Sequence, residues 1–316
     1  MKRLLNTLYV TTQGAYLSRD GETAAVHVEG QTKLRVPIHT LESVVCFGQV
    51  SCSPPLLGLC AERGVAVSFL SEHGRFVARL QGPVSGNVLL RREQYRRADD
   101  DAASASIARS VVIAKLANSR AVLLRAARDH PSSARTTELK SAADHLAGLL
   151  GQLSASRETE TIRGIEGEAA RCYFGVFDHL ILSQKEDFFF RERSRRPPMD
   201  NMNALLSFLY TILAHDVGSA LESVGLDPAV GYLHKDRPGR PGLALDLMEE
   251  FRPVLADRLA LSLVNLKQVA AQGLETTETG AVLMDESTRK TVLVAYQERK
   301  REEVRHPYLR EKVPIG

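Results

Sequence analysis

Three short stretches of the chain carry side chains able to hold a divalent cation. The first is Arg163-Gly164-Ile165-Glu166-Gly167-Glu168, inside a helical pattern. Two glycines flank Glu166. Each costs roughly 1 kcal/mol relative to alanine within a helix, a cost with a use where another backbone or a ligand comes close. The second is Gly231-Tyr232-Leu233-His234, which opens a Gly- and Pro-rich loop holding Lys235, Arg237 and Arg240. Imidazole is a common ligand of transition metals, and the cations beside it attract phosphate. The third runs from Leu243 to Pro253. On a helix, Asp246, Glu249 and Glu250 fall at i, i+3 and i+4 and share one face. Like charges so placed repel unless they are solvated or neutralised, and a divalent cation neutralises them.

Taken singly, each stretch is better explained in plainer terms. Glu166 fits a surface residue on a loosely packed helix, and His234 a hydrogen-bonding histidine beside a loop. The acids of the third stretch fit a solvated stripe opposite apolar Leu243, Leu247 and Phe251. Together they form a mixed oxygen and nitrogen donor set suited to Mg²⁺ or Mn²⁺. Such an ion polarises a phosphodiester and activates a hydroxyl or water. Arg91, Arg92, Arg96 and Arg97 surround Tyr95, and Arg191, Arg193, Arg195 and Arg196 precede Pro197-Pro198. Both clusters are short of compensating acids and are candidates for phosphate contact. Arg299, Lys300, Arg301 and Arg305 are interleaved with Glu298, Glu302 and Glu303, as on a salt-bridged helix surface.

These residues need a scaffold, and the periodicity supplies one in two parts. Leu5–Thr11, Ala24–Val28 and Lys33–Ile38 read as strands, while Glu42–Phe47 and Val65–Leu70 read as buried ones. Pro54–Arg63 reads as a helix ending at Gly64, and Arg75–Leu80 as the second arm of a hairpin turned at His73-Gly74. The boundary falls near Gln81–Asn87. Beyond it, apolar residues recur at three- and four-residue spacing, with Asp99–Ser104 as a helix start. Helices are expected around Ile107–Leu116, Leu139–Leu150, Ile162–Val176, Leu205–Leu213, Leu243–Arg252, Leu255–Gln272 and Asp285–Arg305. The predicted fold class is α+β: a β-rich domain over 1–85, then a larger helical catalytic domain over 86–316.

Composition narrows the function classes. A 316-residue chain with 44% hydrophobic and 25% charged residues is globular, with room for two domains. It has no tryptophan and only 6% aromatics, which argues against a base-stacking platform. A net charge of +3 is too mild to identify a nucleic-acid partner, so the distribution of charge matters more. Cys46, Cys52, Cys60 and Cys172 form no CxxC pair, which argues against structural zinc. Cys60 and Cys172 read as reduced core residues, and a cytoplasmic setting is expected. The N-terminus lacks a signal-peptide pattern. No apolar window is long enough for a membrane span, so no membrane partner is expected.

One set of motifs is far more specific. It comprises Arg195-Arg196-Pro197-Pro198, Asp200-Asn201-Met202-Asn203-Ala204-Leu205-Leu206, Gly225-Leu226-Asp227-Pro228, Gly231-Tyr232-Leu233-His234 and the Leu243–Pro253 string. Gly164-Ile165-Glu166-Gly167 lies upstream, and Leu8-Tyr9-Val10 with Gly14-Ala15-Tyr16-Leu17 near the N-terminus. The set resembles the Cas1 family, the universal CRISPR adaptation integrases, over nearly the whole chain, and looks most like the type I-C form. The resemblance implies an enzyme that inserts protospacer DNA into the CRISPR array by 3′-hydroxyl attack on a repeat phosphodiester, with metal-dependent nuclease activity. It implies a homodimer working with the small adaptation subunit Cas2 on double-stranded DNA. It maps the metal site onto Glu166, His234 and Glu249, with Asp246 a close supporting acid in the catalytic set. Arg91, Arg92, Tyr95, Arg193, Arg195, Arg196, Asn203, Lys235, Arg237 and Arg240 are the expected DNA contacts. Similar proteins usually continue into a further helix and tail, so this sequence is either cut short at Gly316 or that of a shorter member. Two other readings are a non-catalytic DNA-binding scaffold of the adaptation complex and a metal-dependent phosphohydrolase of small molecules. The first would leave DNA integration intact in His234→Ala. The second would act on nucleotides but not on DNA.

Overall fold

The computed structural model describes residues 6–82, 88–131, 134–305 and 311–314. Part of the expected boundary, residues 83–87, lies outside them. The chain divides into two compact units, Met1–Ser85 with Leu283–Gly316, and Gly86–Val282.

The first unit holds β1 (Thr7–Val10), β2 (Tyr16–Asp20), β3 (Thr23–Val28), β4 (Gln31–Pro37), β5 (Ser43–Phe47), β6 (Ser51–Cys52), α1 (Pro54–Arg63), β7 (Ala66–Leu70) and β8 (Phe76–Arg79). These strands build two four-stranded sheets, ordered β1-β5-β7-β8 and β4-β3-β2-β6. β5 pairs in parallel with both neighbours and is buried at every residue, which explains its apolar run from Val44 to Phe47. Ser53 caps α1 by accepting from the Leu56 N–H, and Gly64 ends it with φ 67°, a left-handed conformation that glycine adopts without strain. The core joins Leu17, Val44, Cys46, Leu56, Cys60 and Val67. The four cysteines are free thiols; Cys60 is buried and Cys172, in the second unit, is half-buried. β2 had no clear signal in the sequence. Only Leu17 of its five residues is buried, and Ser18, Arg19 and Asp20 hide the alternation.

The second unit contains α2 (Val88–Asp99), α3 (Asp101–Asp129), α4 (Ala134–Ala155), α5 (Thr159–Gly175), α6 (Asn201–Ser223), α7 (Gly242–Phe251), α8 (Arg258–Asn265) and β9 (Leu274–Thr276). β10 (Val282–Met284) follows it in sequence, at the boundary of the two units. α3 is the spine: its neighbours are α4, α5 and α7. Asp100 starts it by accepting from the Ala102 and Ala103 N–H groups at 2.9 and 3.0 Å. After α7 the backbone widens into a π-helical turn over Arg252–Asp257, where Pro253 has no N–H to give. The helix expected over Leu255–Gln272 is therefore shorter, and Lys267 follows it with φ 56°.

Two expectations are corrected here. α9 (Glu286–Arg301), β11 (Glu303–Arg305) and β12 (Lys312–Pro314) group with the first unit, not with a helical domain running to residue 316. Side-chain bonds hold α9 there: Gln297 Nε2 donates to Tyr9 Oη at 3.2 Å, and Arg301 donates to Asn6 Oδ1 at 2.8 Å. Second, α6 is long and apolar enough to cross a membrane, with 23 residues and a mean hydropathy of 1.4. Its Met202, Leu205, Leu206, Leu209 and Ile212 are buried within the protein, so its hydropathy is that of a core helix.

Candidate active site

The site grows from α3. Between Val111, Val112, Leu116 and Ser119, on the packed face of that helix, stands Lys115, only 8% exposed. Its ammonium forms an ion pair with Glu166 Oε1 of α5 and lies 2.6 Å from Glu249 Oε2 of α7. Three helices thus meet on one buried cation. A buried charge is costly unless paired, and Lys115 has two carboxylates. Glu249 is the more enclosed of the two, its side chain 4% exposed against 21% for Glu166. Burial pushes the Glu249 carboxyl up, but Arg252, Lys115 and His234 outweigh it and hold its pKa below the usual carboxylate value. Arg252 lies 2.7 Å from Glu249 Oε1. No donor is aligned as a hydrogen bond on Glu249 Oε2, despite the approach of Lys115.

His234 is placed by Asp246. The Asp246 carboxylate is 1% exposed and accepts the backbone N–H groups of Tyr232, Leu233 and His234 at 2.6, 2.9 and 2.9 Å. Its Oδ1 also lies 2.7 Å from His234 Nδ1. An acceptor there assigns the Nδ1 proton to that bond and leaves the Nε2 lone pair for a ligand. Two glycines hold the neck of this loop. A Cβ on Gly231 would come 2.7 Å from the Gly242 carbonyl carbon, and one on Gly242 would come 2.7 Å from the Ala229 oxygen. Only glycine permits that approach. Gly164 and Gly167 differ: a Cβ at either meets nothing within 4 Å, so no protein backbone presses on the helix beside Glu166.

Behind the carboxylates lies a buried polar network. The Arg252 and Arg193 guanidiniums sit 4.6 and 5.2 Å from the centre of the Tyr210 ring. Tyr210 donates to Asp257 Oδ1 at 2.6 Å. Burial raises Asp257 to about 6 against the opposing pull of Tyr210 and Arg252, and pushes the Tyr210 and Tyr173 phenols well above their ordinary range.

The acidic helix face is therefore not a solvated stripe: Asp246 and Glu249 point inward, and Glu250 is only half-buried. Among the expected DNA contacts, Asn203 is corrected. It is 0% exposed and fully engaged: it accepts from Arg193 at 2.6 Å and donates to the Glu192 oxygen and Asp200 Oδ2 at 2.8 and 2.6 Å. Arg193 is half-buried in the same network and donates to Ser207 Oγ at 3.0 Å. Tyr95 donates to Asp227 Oδ2 at 2.8 Å, and Arg91 to the Gly225 oxygen at 3.3 Å. Lys235 pairs with exposed Glu160 at 2.6 Å. Arg92, Arg195, Arg196 and Arg237 are exposed and Arg240 is half-exposed.

Sequence reasoning missed Lys115, Arg252, Tyr210 and Asp257. One signal was present for Lys115: it continues the buried row Val111, Lys115, Ser119, a charge where an apolar residue belongs. Arg163 was missed too. It donates to the Leu233 oxygen at 3.1 and 2.7 Å, tying α5 to the His234 loop.

The donor set fits a divalent cation in its chemistry, since two carboxylates already share one positive charge and His234 presents a fixed imidazole. Among the described residues no three acids, histidines or cysteines group closely enough to hold a metal ion as the side chains stand; Lys115 stands between the two glutamates.

A β-rich unit followed by a helical unit is also the fold of solved structures. A Cas1 protein from Thermotoga maritima superimposes with a TM-score of 0.82 at 24% identity, covering 94% of this chain and 90% of that one. A casposase bound to an integration product gives 0.81 at 22% identity, with 98% and 86% covered. The sequence is more decisive. Residues 8–298 match the family model described as CRISPR associated protein Cas1. The CRISPR-associated endonuclease Cas1 1 of Chlorobaculum tepidum is 56% identical over 316 residues, all of this chain and 92% of the relative. The CRISPR-associated endonuclease Cas1 2 of Rhodospirillum rubrum is 55% identical, with the same coverage. This chain belongs to the Cas1 family of CRISPR-associated endonucleases.

Proposed function

We propose that this chain is the integrase of CRISPR adaptation, of the type I-C form, joining protospacer DNA to a CRISPR repeat by transesterification. The observation that carries this reading is the meeting of Glu166 and Glu249 on one buried positive charge, next to a histidine already oriented by Asp246. In the reaction, a 3′-hydroxyl oxygen of the incoming strand bonds to a repeat phosphorus. The existing phosphorus–O3′ bond breaks, and its oxygen leaves as a new 3′-hydroxyl. One phosphodiester replaces another, so no external energy source is needed. With water as the nucleophile, the same site is an endonuclease.

Glu166, His234 through Nε2, and Glu249 would hold Mg²⁺ or Mn²⁺. Bound there, the ion polarises the phosphodiester and lowers the pKa of the attacking hydroxyl. Asp246 keeps the imidazole in register and the 232–234 backbone in place. Arg252 keeps Glu249 ionised in a buried setting. Arg92, Arg195, Arg196, Arg237 and Arg240 give the surface the positive charge that backbone phosphates require. The solved neighbours include a Cas6-RT-Cas1–Cas2 complex, TM-score 0.80 at 23% identity. Its name, pairing Cas1 with Cas2, supports the reading that this chain works with Cas2; a homodimer acting on double-stranded DNA in the cytoplasm belongs to the same proposal.

The test is an insertion assay with the chain, its Cas2, a double-stranded fragment, a repeat-bearing plasmid and Mn²⁺ or Mg²⁺. Covalent insertion is expected from the wild type and not from Glu166→Ala. No insertion by the wild type, or undiminished insertion by the variant, overturns the reading.

A further inference from the structure

The mechanism above leaves Lys115 without a task, although it occupies the centre of the site. Its ammonium contacts one oxygen of Glu166 and one of Glu249, with only 10% of its side chain exposed. Those two carboxylates are proposed ligands. A dication bound to both would sit on the order of 2 Å from each oxygen, in the space the ammonium holds. Two cations cannot share that space.

We propose that Lys115 is a resident counter-cation of the Glu166–Glu249 pair, and that a divalent ion enters only by displacing it. The inference rests on the metal-dependent reading of the site. It assigns Lys115 a dual consequence. Without metal, the lysine neutralises two acids that burial would otherwise force apart or protonate. During loading it is a competitor, so the site's affinity for metal is set below what its ligands alone would give. Because the ammonium is covalently tethered, no change of buffer cation removes it. The geometry behind this is the ammonium's position, in contact with Glu166 Oε1 and 2.6 Å from the enclosed Glu249 Oε2.

The test measures Mn²⁺ binding to the metal-stripped full chain by the loss of the free Mn²⁺ electron paramagnetic resonance signal. Lys115→Met and Lys115→Ala are compared with wild type after circular dichroism confirms folding. At least tenfold tighter binding is expected in Lys115→Ala, and the alanine variant decides should methionine bulk fill the seat. Equal or weaker binding in Lys115→Ala overturns the inference while leaving the metal reading intact. Absence of binding by wild type and variants alike overturns both. A second measurement uses the unaltered chain. Acylation of lysine amines, read by mass spectrometry, is expected to label Lys115 several-fold more once Mn²⁺ is added. Labelling that is unchanged or lower sinks the displacement.

Discussion

Asp246 bonds to His234 twice, at the backbone N–H and at ring Nδ1, both through Oδ1. One oxygen therefore fixes the imidazole's position and its tautomer, while Oδ2 takes the Tyr232 and Leu233 amides. Asp246→Asn turns one side of that acceptor into a donor facing N–H groups. Mn²⁺ affinity and DNA cleavage are expected to fall roughly 10–100-fold, the usual cost of losing a group that orients a ligand. Parallel metal titration and nuclease assays check this. An Asn variant with wild-type affinity would show that His234 needs no orientation.

Removing one partner of Lys115 should also cost stability. Glu249→Gln leaves Lys115 and Arg252 enclosed with one counter-charge fewer, and about 3–5 kcal/mol is expected to be lost. Glu166→Gln, at the wetter end of the pair, should cost less. Urea unfolding of the metal-free proteins ranks the two variants. The ordering Glu249 above Glu166 is the prediction, and a reversed order contradicts the burial difference.

Asp257 gives the protein an unusual response to pH. Its folded-state value of about 6 lies above the ordinary 3.8, so the fold favours the protonated form. The stabilisation this supplies is complete below about pH 4 and is lost as the pH rises through about 6. Glu249 acts in the opposite sense: its lowered value stabilises the fold at neutral pH, and that contribution disappears as acid protonates it. Asp257→Asn keeps an acceptor for Tyr210 and removes the first effect. Its stability at pH 8 relative to pH 4.5 should exceed that of wild type by on the order of 1–3 kcal/mol. Denaturation at the two pH values measures the difference.

The exposed arginines and buried Asn203 should separate cleanly. Arg195→Gln with Arg196→Gln should reduce the slope of log affinity for DNA against log salt by about 1–2, since each phosphate contact contributes ~0.9. Asn203→Ala should leave that slope unchanged and lower stability by about 1–3 kcal/mol. Fluorescence anisotropy over a salt series, with thermal melts alongside, tests both. A slope change in Asn203→Ala would return that residue to the DNA surface.

Much of the scaffold was legible because local chemistry wrote it plainly. Pro54–Arg63 with Ser53 before it and Gly64 after it is a complete helix signal, and β5 and β7 are short, mostly apolar and mostly buried runs. β2 escaped because solvent-facing polar residues dilute its pattern. The turn after α7 escaped because a π-helix has the composition of an α-helix. For the site, sequence indicated Glu166, His234, Asp246 and Glu249, whose types name their chemistry. It did not indicate Lys115 or Asp257, whose importance comes from what encloses them. A lysine on α3 becomes a site residue only when α5 and α7 close over it, and no spacing rule reaches across 51 or 134 positions. Asn203 misled for the related reason that a polar residue in a motif signals either a contact or an internal strut.

The close approach of Gly231 and Gly242 separates the His234 loop into a clamped base and a tip over residues 236–240. Lys235 is tied to Glu160 of α5, while residues 236–240 lie beyond that contact and can vary with less consequence for the imidazole. Under the proposed function, grafting a different 236–240 segment is expected to change which DNA the protein engages while the reacting centre stays constant. Any side chain at either glycine would remove that independence, coupling what is engaged to how fast it reacts.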